Sequence, residues 1–310
     1  MAVTKLTQIM KQRQTLSFEL FPPKTPKGMA NLEETLNRLN VFKPDYMSVT
    51  YGAGGANVGT NRVVCQMIAD HGVVPVTHFN LIRHTRESIK EQLDQYLEEG
   101  VDHILALRGD FPDGENSTCG DFNYATDLVS FIRDTYGDRF EIAVAGSPEG
   151  HVACRSLDSD IAALKLKQEN GADYIITQLC WDLDQFERWM DKIRKVGVTI
   201  PLDVGVMPIV DIKTTIKMAL SRNGCVMDHE LSKIISKYWI FPDPFDSNPP
   251  FEDPAREQKK ADFRKAGIEY TIRQLDRLRM MGIDGLHLYA MNRWKDVDYL
   301  IREAGLRTVI

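Results

Sequence analysis

HILALRGD, residues 103–110, ends a run of the kind that makes a fully buried strand with two opposite charges separated by one glycine. A short, nearly continuous apolar run suits a strand of a parallel sheet, which helices cover on both faces. If HILALR (103–108) is such a strand, Arg108 and Asp110 stand at its carboxyl end, where α/β folds place their ligands. An ordinary rim salt bridge would also account for the pair. The glycine between them favours a ligand, because the backbone at Gly109 can approach a flat molecule closely while Asp110 faces the mouth.

The same grammar repeats along the chain. Strands are expected at LSFELF (16–21), YMSVTY (46–51), VPVTHF (74–79), HILALR (103–108), EIAVAG (141–146), YIITQL (174–179), PLDVGV (201–206) and GLHLYA (285–290). Segments of helical period separate them: at 86–99 Ile89, Leu93, Tyr96 and Leu97 share a face, and at 156–170 Leu157, Ile161, Leu164 and Lys165 do. Gly100 and Gly171 stop these two helices. Eight βα units without a glycine-rich dinucleotide fingerprint predict an α/β fold, a closed (β/α)8 TIM barrel, over an open doubly wound sheet. Val3, Leu6, Ile9 and Met10 predict a short N-terminal helix. Residues 222–253, with the proline- and acid-rich FPDPFDSNPPFEDP, are expected as an insertion between strands seven and eight of a single barrel spanning 1–310.

Composition narrows the function classes. The 310 residues are 43% hydrophobic and 26% charged, within the globular range. A formal net charge of −6 without a basic stripe argues against a nucleic-acid partner. The five cysteines are scattered and form no CxxC pair, so reduced thiols are expected and no metal site. No window approaches a membrane helix, and MAVTKLTQIMKQRQ lacks the apolar run of a signal peptide, so the expectation is a cytoplasmic protein without a membrane partner.

The expected strand ends carry Glu19, Thr50, His78, the Arg108 to Asp110 triplet, Ser147 with His151 beyond it, Gln178, and Tyr289 with Asn292 and Arg293. Glu19 sits among Phe18, Leu20 and Phe21, so its carboxyl is expected to be desolvated and its pKa raised, which suits a general acid. His78 reads equally as a structural histidine or a ligand contact, and His151 in a loop is the better contact candidate.

Taken together, FELFPPK (18–24), SVTYGAGG (48–55), ALRGD (106–110), YATDLV (124–129), GADYIITQ (171–178) and LHLYAMNR (286–293) resemble the methylenetetrahydrofolate reductase family, in order and over essentially the whole chain. The resemblance implies a flavoprotein oxidoreductase of one-carbon metabolism and methionine biosynthesis. In such an enzyme NADH or NADPH reduces FAD, and the reduced flavin converts 5,10-methylenetetrahydrofolate to 5-methyltetrahydrofolate in a ping-pong scheme. It implies Glu19 as the acid that opens the folate ring and Asp110 as the electrostatic partner of flavin and pterin. Thr50, His78, Leu107, Arg108, Gly109, Asp110, Ala125, His151, Asp160 and Lys167 fall on FAD-contacting positions. Gln178, Tyr289 and Arg293, with Glu19 and Asp110, fall on positions that bind the substrates.

The chain departs from the family pattern on the cofactor's side. Ser147 stands where a tyrosine is common, Ala163 and Leu166 replace asparagine and arginine near the FAD phosphates, and ANVGTN follows TYGAGG. These changes remove polar or stacking contacts, so looser FAD binding, an altered pose or a partner's help is expected. The alternatives are a flavin-free direct hydride transfer, a folate- or flavin-binding subunit served by an electron-donating partner, and a folate-dependent methyl transferase. A homo-oligomer is left open.

Overall fold

The computed structural model describes residues 5–51, 58–111, 118–221, 225–240 and 255–307. Gly52 to Gly55, Ala56, Asn57 and the whole of FPDPFDSNPPFEDP lie outside the described residues. Eight parallel strands close into a barrel in sequence order: β1 (Thr15–Leu20), β2 (Tyr46–Val49), β3 (Val74–Asn80), β4 (His103–Leu107), β5 (Glu141–Gly146), β6 (Tyr174–Thr177), β7 (Leu202–Val206) and β8 (Gly285–Tyr289). The expected (β/α)8 architecture is therefore the observed one.

Short polar residues start the helices where the sequence turns from strand to helix. Thr25 accepts from the Gly28 amide at the start of α2 (Pro26–Asn40), with Pro26 at the first turn. Thr85 and Ser88 cap α4 (Arg86–Glu98) reciprocally, and Ser156 and Ser159 do the same for α6 (Leu157–Glu169). Each cap contributes about 1 kcal/mol and fixes where the chain leaves the barrel rim. The remaining outer helices are α3 (Val58–Asp70), α5 (Ala125–Tyr136), α7 (Leu183–Lys195) and α11 (Trp294–Glu303).

Among the described residues, three helices stand between β7 and β8: α8 (Ile212–Ala219), α9 (His229–Lys237) and α10 (Arg256–Met280). The region expected as an insertion thus includes a helix of its own. Asp228 caps α9 through the Leu231 amide and also accepts from the Tyr270 hydroxyl at 2.9 Å, tying α9 to α10.

Side-chain alternation divides each strand between two environments. Phe18, Leu20, Met47, Val49, Ile104 and Ala106 face the helices in the main core. The barrel interior is split. Val76, Leu105, Ala143, Tyr174 and Ile176 make an apolar half with Leu6 and Met10 of α1 (Leu6–Met10). Ser17, Ser48, His78, Asp203 and His287 make a polar half.

Helix α1 plugs the amino-terminal end of the barrel. Its first amides, at Leu6 and Thr7, donate to the Glu141 carboxylate at 2.6 and 3.0 Å. Glu141 in turn meets His103 Nε2 at 3.1 Å, with Asp102 on the other ring nitrogen at 2.6 Å. Burial opposes the His103 charge, but the two carboxylates prevail and raise its pKa to about 9.

Candidate active site

Closing a parallel barrel brings all eight carboxyl strand ends to one rim. Glu19, near the end of β1, is aligned with Ser48 of β2 and Tyr289 of β8. Its carboxylate lies 3.6 Å from His78 Nε2 and 3.7 Å from His287 Nε2, and its side chain is 15% exposed. Burial pushes the Glu19 pKa up, but His287, through hydrogen bonding and charge, and His78 outweigh it, so the net shift is downward. The expected raised pKa is therefore corrected. The apolar neighbours Phe18 and Leu20 point to the helices, and the residues that Glu19 meets inside the barrel come from β3 and β8.

His78 is buried, and its ring meets the Ser48 hydroxyl at 3.3 Å. Desolvation lowers its pKa to about 4 despite the Glu19 charge, so it is neutral at pH 7. Tyr289 lies at the same level, and its hydroxyl donates to the Thr177 carbonyl at 2.8 Å. A shallow cleft opens beside the ends of β7 and β8, lined by Met207, Tyr289, Met291 and Arg293 among others. Arg293 is exposed there and pairs with Asp296 at 2.9 Å.

A second cluster gathers on the β4 to β6 side. Arg108 lies over the Phe111 ring at 4.6 Å, and its Nε donates to the Gly109 carbonyl at 3.2 Å. Gly109 has φ +87°, and a Cβ there would come within 3.2 Å of Asn80 and 3.1 Å of Ile82. The glycine is thus required by its own backbone and by the β3 loop, where the sequence suggested a ligand. Asp110, next along, is exposed.

Lys167 reaches from α6 to donate to the Ala145 carbonyl at 2.9 Å. Asp160 accepts from the Cys154 thiol at 3.3 Å. Partial desolvation and Arg108 lower the His151 pKa, with Asp160, Lys167 and Asp110 all within electrostatic reach. The structure thus unites Arg108, Asp110, His151, Asp160 and Lys167 around one part of the mouth.

The other expected residues share the rim and make their contacts locally. Leu107 packs against the apolar half of the interior, and the Thr50 amide donates to the Leu20 carbonyl at 3.1 Å. Ala125 opens α5, and the Gln178 side chain accepts from the Leu179 amide at 2.8 Å. Ser147 is half-buried beyond β5, Ala163 is half-buried on α6, and Leu166 is exposed on that helix.

Residues inside the strands escape a reading that looks to strand ends for function. Ser17, Ser48, Asp203 and His287 are all buried in the barrel. Their signal in the sequence is a polar residue at period two within an apolar strand, as in LSFEL and GLHLY. Asn61 escapes it as well. It falls in ANVGTN but lies in α3, fully buried, donating to the Val49 and Thr50 carbonyls and accepting from Thr77 and Tyr96.

A closed parallel barrel with a carboxylate and two imidazoles near its carboxyl-end rim, beside a mixed-charge cluster, places the chain among α/β barrels with a polar site at the mouth. The methylenetetrahydrofolate reductase model matches residues 5–237, and the chain belongs to that family. It is 34% identical over 300 residues to methylenetetrahydrofolate reductase 1 of Schizosaccharomyces pombe, covering 96% of this chain and 47% of that protein. With methylenetetrahydrofolate reductase (NADH) 1 of Arabidopsis thaliana it shares 34% identity, covering 98% of this chain and 50% of the relative. The chain therefore spans about half the length of these curated relatives. The 5,10-methylenetetrahydrofolate reductase of Pectobacterium carotovorum is 30% identical, with 92% and 88% of the two chains covered. Among solved structures, a Clostridium thermocellum protein described as binding two copies of 5-methyl-5,6,7,8-tetrahydrofolic acid has the same fold, with TM-score 0.60 and 13% identity over 96% of this chain and 97% of that one. Among the described residues, no helix is long and apolar enough to cross a membrane, and no group of His, Cys, Asp and Glu is arranged to hold a metal ion.

Proposed function

We propose that this chain is the catalytic barrel of a reductase that takes hydride from NADH or NADPH and delivers it to 5,10-methylenetetrahydrofolate, giving 5-methyltetrahydrofolate. The observation that carries this is the Glu19 carboxyl, held at the strand-end rim between two imidazoles yet still open to the mouth. A site that only bound folate would have no need of a proton donor in that position.

The residues at the mouth fit FAD. Arg108 and Lys167 supply positive charge suited to an anionic diphosphate, and Asp160 and His151 add polar partners. Thr50, His78, Leu107, Gly109, Asp110 and Ala125 would complete the binding surface. When bound, FAD supplies two-electron transfer between the nicotinamide and the folate. Ser147, Ala163 and Leu166 offer neither a ring nor a cation, so affinity rests on the Arg108 and Lys167 side of the cluster.

Glu19 protonates the folate N10, which opens the bridged ring and leaves an electrophilic carbon for hydride. A folate seated over the mouth removes the remaining solvent from Glu19, and that desolvation raises its proton affinity toward what an acid needs. Asp110 orients the pterin by accepting from its N–H groups and balances the cation formed on ring opening. Gln178, Tyr289 and Arg293 would hold the remainder of the substrate. Nicotinamide oxidation dependent on methylenetetrahydrofolate tests the proposal. Methyl transfer without nicotinamide oxidation would overturn it in favour of a methyl transferase.

A further inference from the structure

Beneath Glu19 the barrel holds a polar column that the proposed chemistry leaves unused. His287 Nε2 faces upward, 3.7 Å from the Glu19 carboxylate and 3.2 Å from the Ser48 hydroxyl. Its other nitrogen, Nδ1, lies 2.7 Å from Ser17 Oγ, and Ser17 Oγ has two acceptors in reach, Asp203 Oδ2 at 3.4 Å and the Leu286 carbonyl at 3.3 Å. The same Asp203 oxygen accepts from Tyr46 at 2.9 Å and Thr15 at 3.4 Å, while Oδ1 has no partner among the described residues. Ser17, Ser48, Asp203 and His287 are each 0% exposed.

A carboxyl group this deep is costly to bury, so stability alone does not account for Asp203. The barrel makes room for it. A Cβ at Gly285, its partner on β8, would lie 2.7 Å from Asp203 Cγ and 2.1 Å from Thr15 Oγ1. The ring of Tyr46 stacks on the His287 imidazole, with centroids 5.4 Å apart and planes at 15°, which fixes the imidazole orientation.

The geometry points to Asp203 as a positioning residue that acts through Ser17 and His287 to set the proton affinity of Glu19. When Asp203 accepts from the Ser17 hydroxyl, the Ser17 oxygen is left to accept from Nδ1–H of His287. That tautomer leaves Nε2 as the basic nitrogen facing Glu19, so one proton is shared between Glu19 and His287. The negative charge below strengthens the hold of Nε2 on that proton.

Burial raises the Asp203 pKa to about 6, against the opposing influences of His287, Tyr46, Ser17 and Thr15, so above that pH the carboxylate is available to act. The groups facing His287 are Glu19 from β1, Tyr46 from β2, His78 from β3, Asp203 from β7 and Tyr289 on β8 itself, while Tyr174 of β6 faces Asp203.

The inference rests on Glu19 acting as the acid, and two readouts separate the claims. The ring nitrogens of His287 are titrated by NMR in protein labelled with ¹⁵N-histidine, without substrate, for the wild type, Asp203→Asn and Ser17→Ala. The pH profile of folate reduction is measured on the same proteins. The expected result is a His287 pKa lower by about one pH unit in Asp203→Asn, the scale of losing a nearby opposite charge, and a shift in the same direction in Ser17→Ala. The shared proton should then reside more on Glu19, raising the plateau rate of folate reduction, while the pair loses that proton at lower pH, so the alkaline limit moves down by up to a similar amount. An unchanged His287 titration in the folded variants overturns the inference, and Ser17→Ala alone decides if Asp203→Asn does not fold. A lowered His287 pKa with an unmoved pH profile supports the coupling and shows that the failure lies in the role given to Glu19.

Discussion

Replacing Glu141 by Gln should loosen the barrel floor in a way that depends on pH. In the native protein the Glu141 carboxylate accepts from two α1 amides and faces His103 at 3.1 Å. The carboxamide introduced by Glu141→Gln would turn a donor toward either an α1 N–H or the imidazolium, and a buried donor left without an acceptor costs about 1–3 kcal/mol. The electrostatic part follows from His103. A rise from 6.5 to about 9 corresponds to about 3 kcal/mol, shared between Asp102 and Glu141. Together they give an expected loss of about 3 kcal/mol near pH 6.

The sign with pH is fixed by linkage. The raised His103 pKa gives stability that is complete below about 6.5 and disappears as pH rises through about 9. The Glu141 pKa is lowered, since His103 and Thr7 outweigh burial, so its contribution is present above about 4.3 and is lost in acid as pH falls through the native value. Both are complete between about pH 4.5 and 6.5. Urea unfolding from pH 5 to 9.5 should show wild-type stability falling above pH 6.5 and a flatter profile in Glu141→Gln. Equal slopes in the two proteins, or a loss well below 1 kcal/mol at pH 6, would refute the reasoning.

Glu19→Gln should leave flavin reduction by nicotinamide nearly intact while slowing folate reduction by about 10²–10⁴, read by anaerobic stopped flow, whereas equal loss in both half-reactions would mark Glu19 as structural. Asp110→Asn should slow the folate step and raise the flavin potential, and an unchanged potential places Asp110 away from the ring. Asn61→Ala removes the shared partner of two carbonyls and two hydroxyls at a fully buried position, so thermal and urea melts should report a loss of about 2–4 kcal/mol. A near-wild-type melt would mean that those groups find other partners.

The barrel was legible because each strand is short and apolar, and five of the helices that follow, α2, α4, α6, α7 and α8, start on Thr, Ser or Asp. Strand boundaries expected from the apolar runs match β5 at both ends and differ elsewhere by one or two residues, since apolar residues such as Leu179 continue past the last ladder bond. The direction of the Glu19 pKa was not legible. Period two separates Glu19 from Phe18 and Leu20 in space, and the imidazoles that decide its charge come from β3 and β8, 59 and 268 residues further along the sequence. Gly109 shows the same limit, because a glycine chosen for close approach does not say whether a ligand or Asn80 is what approaches.

The most direct measurement is the absorption spectrum of the purified protein with added FAD, followed anaerobically through addition of reduced nicotinamide and then methylenetetrahydrofolate. A flavin band that bleaches with the first addition and returns with the second is the predicted result. Absence of a bound flavin in excess FAD, or a bleached band that folate does not restore, would contradict the assignment of this barrel as a flavin-dependent folate reductase.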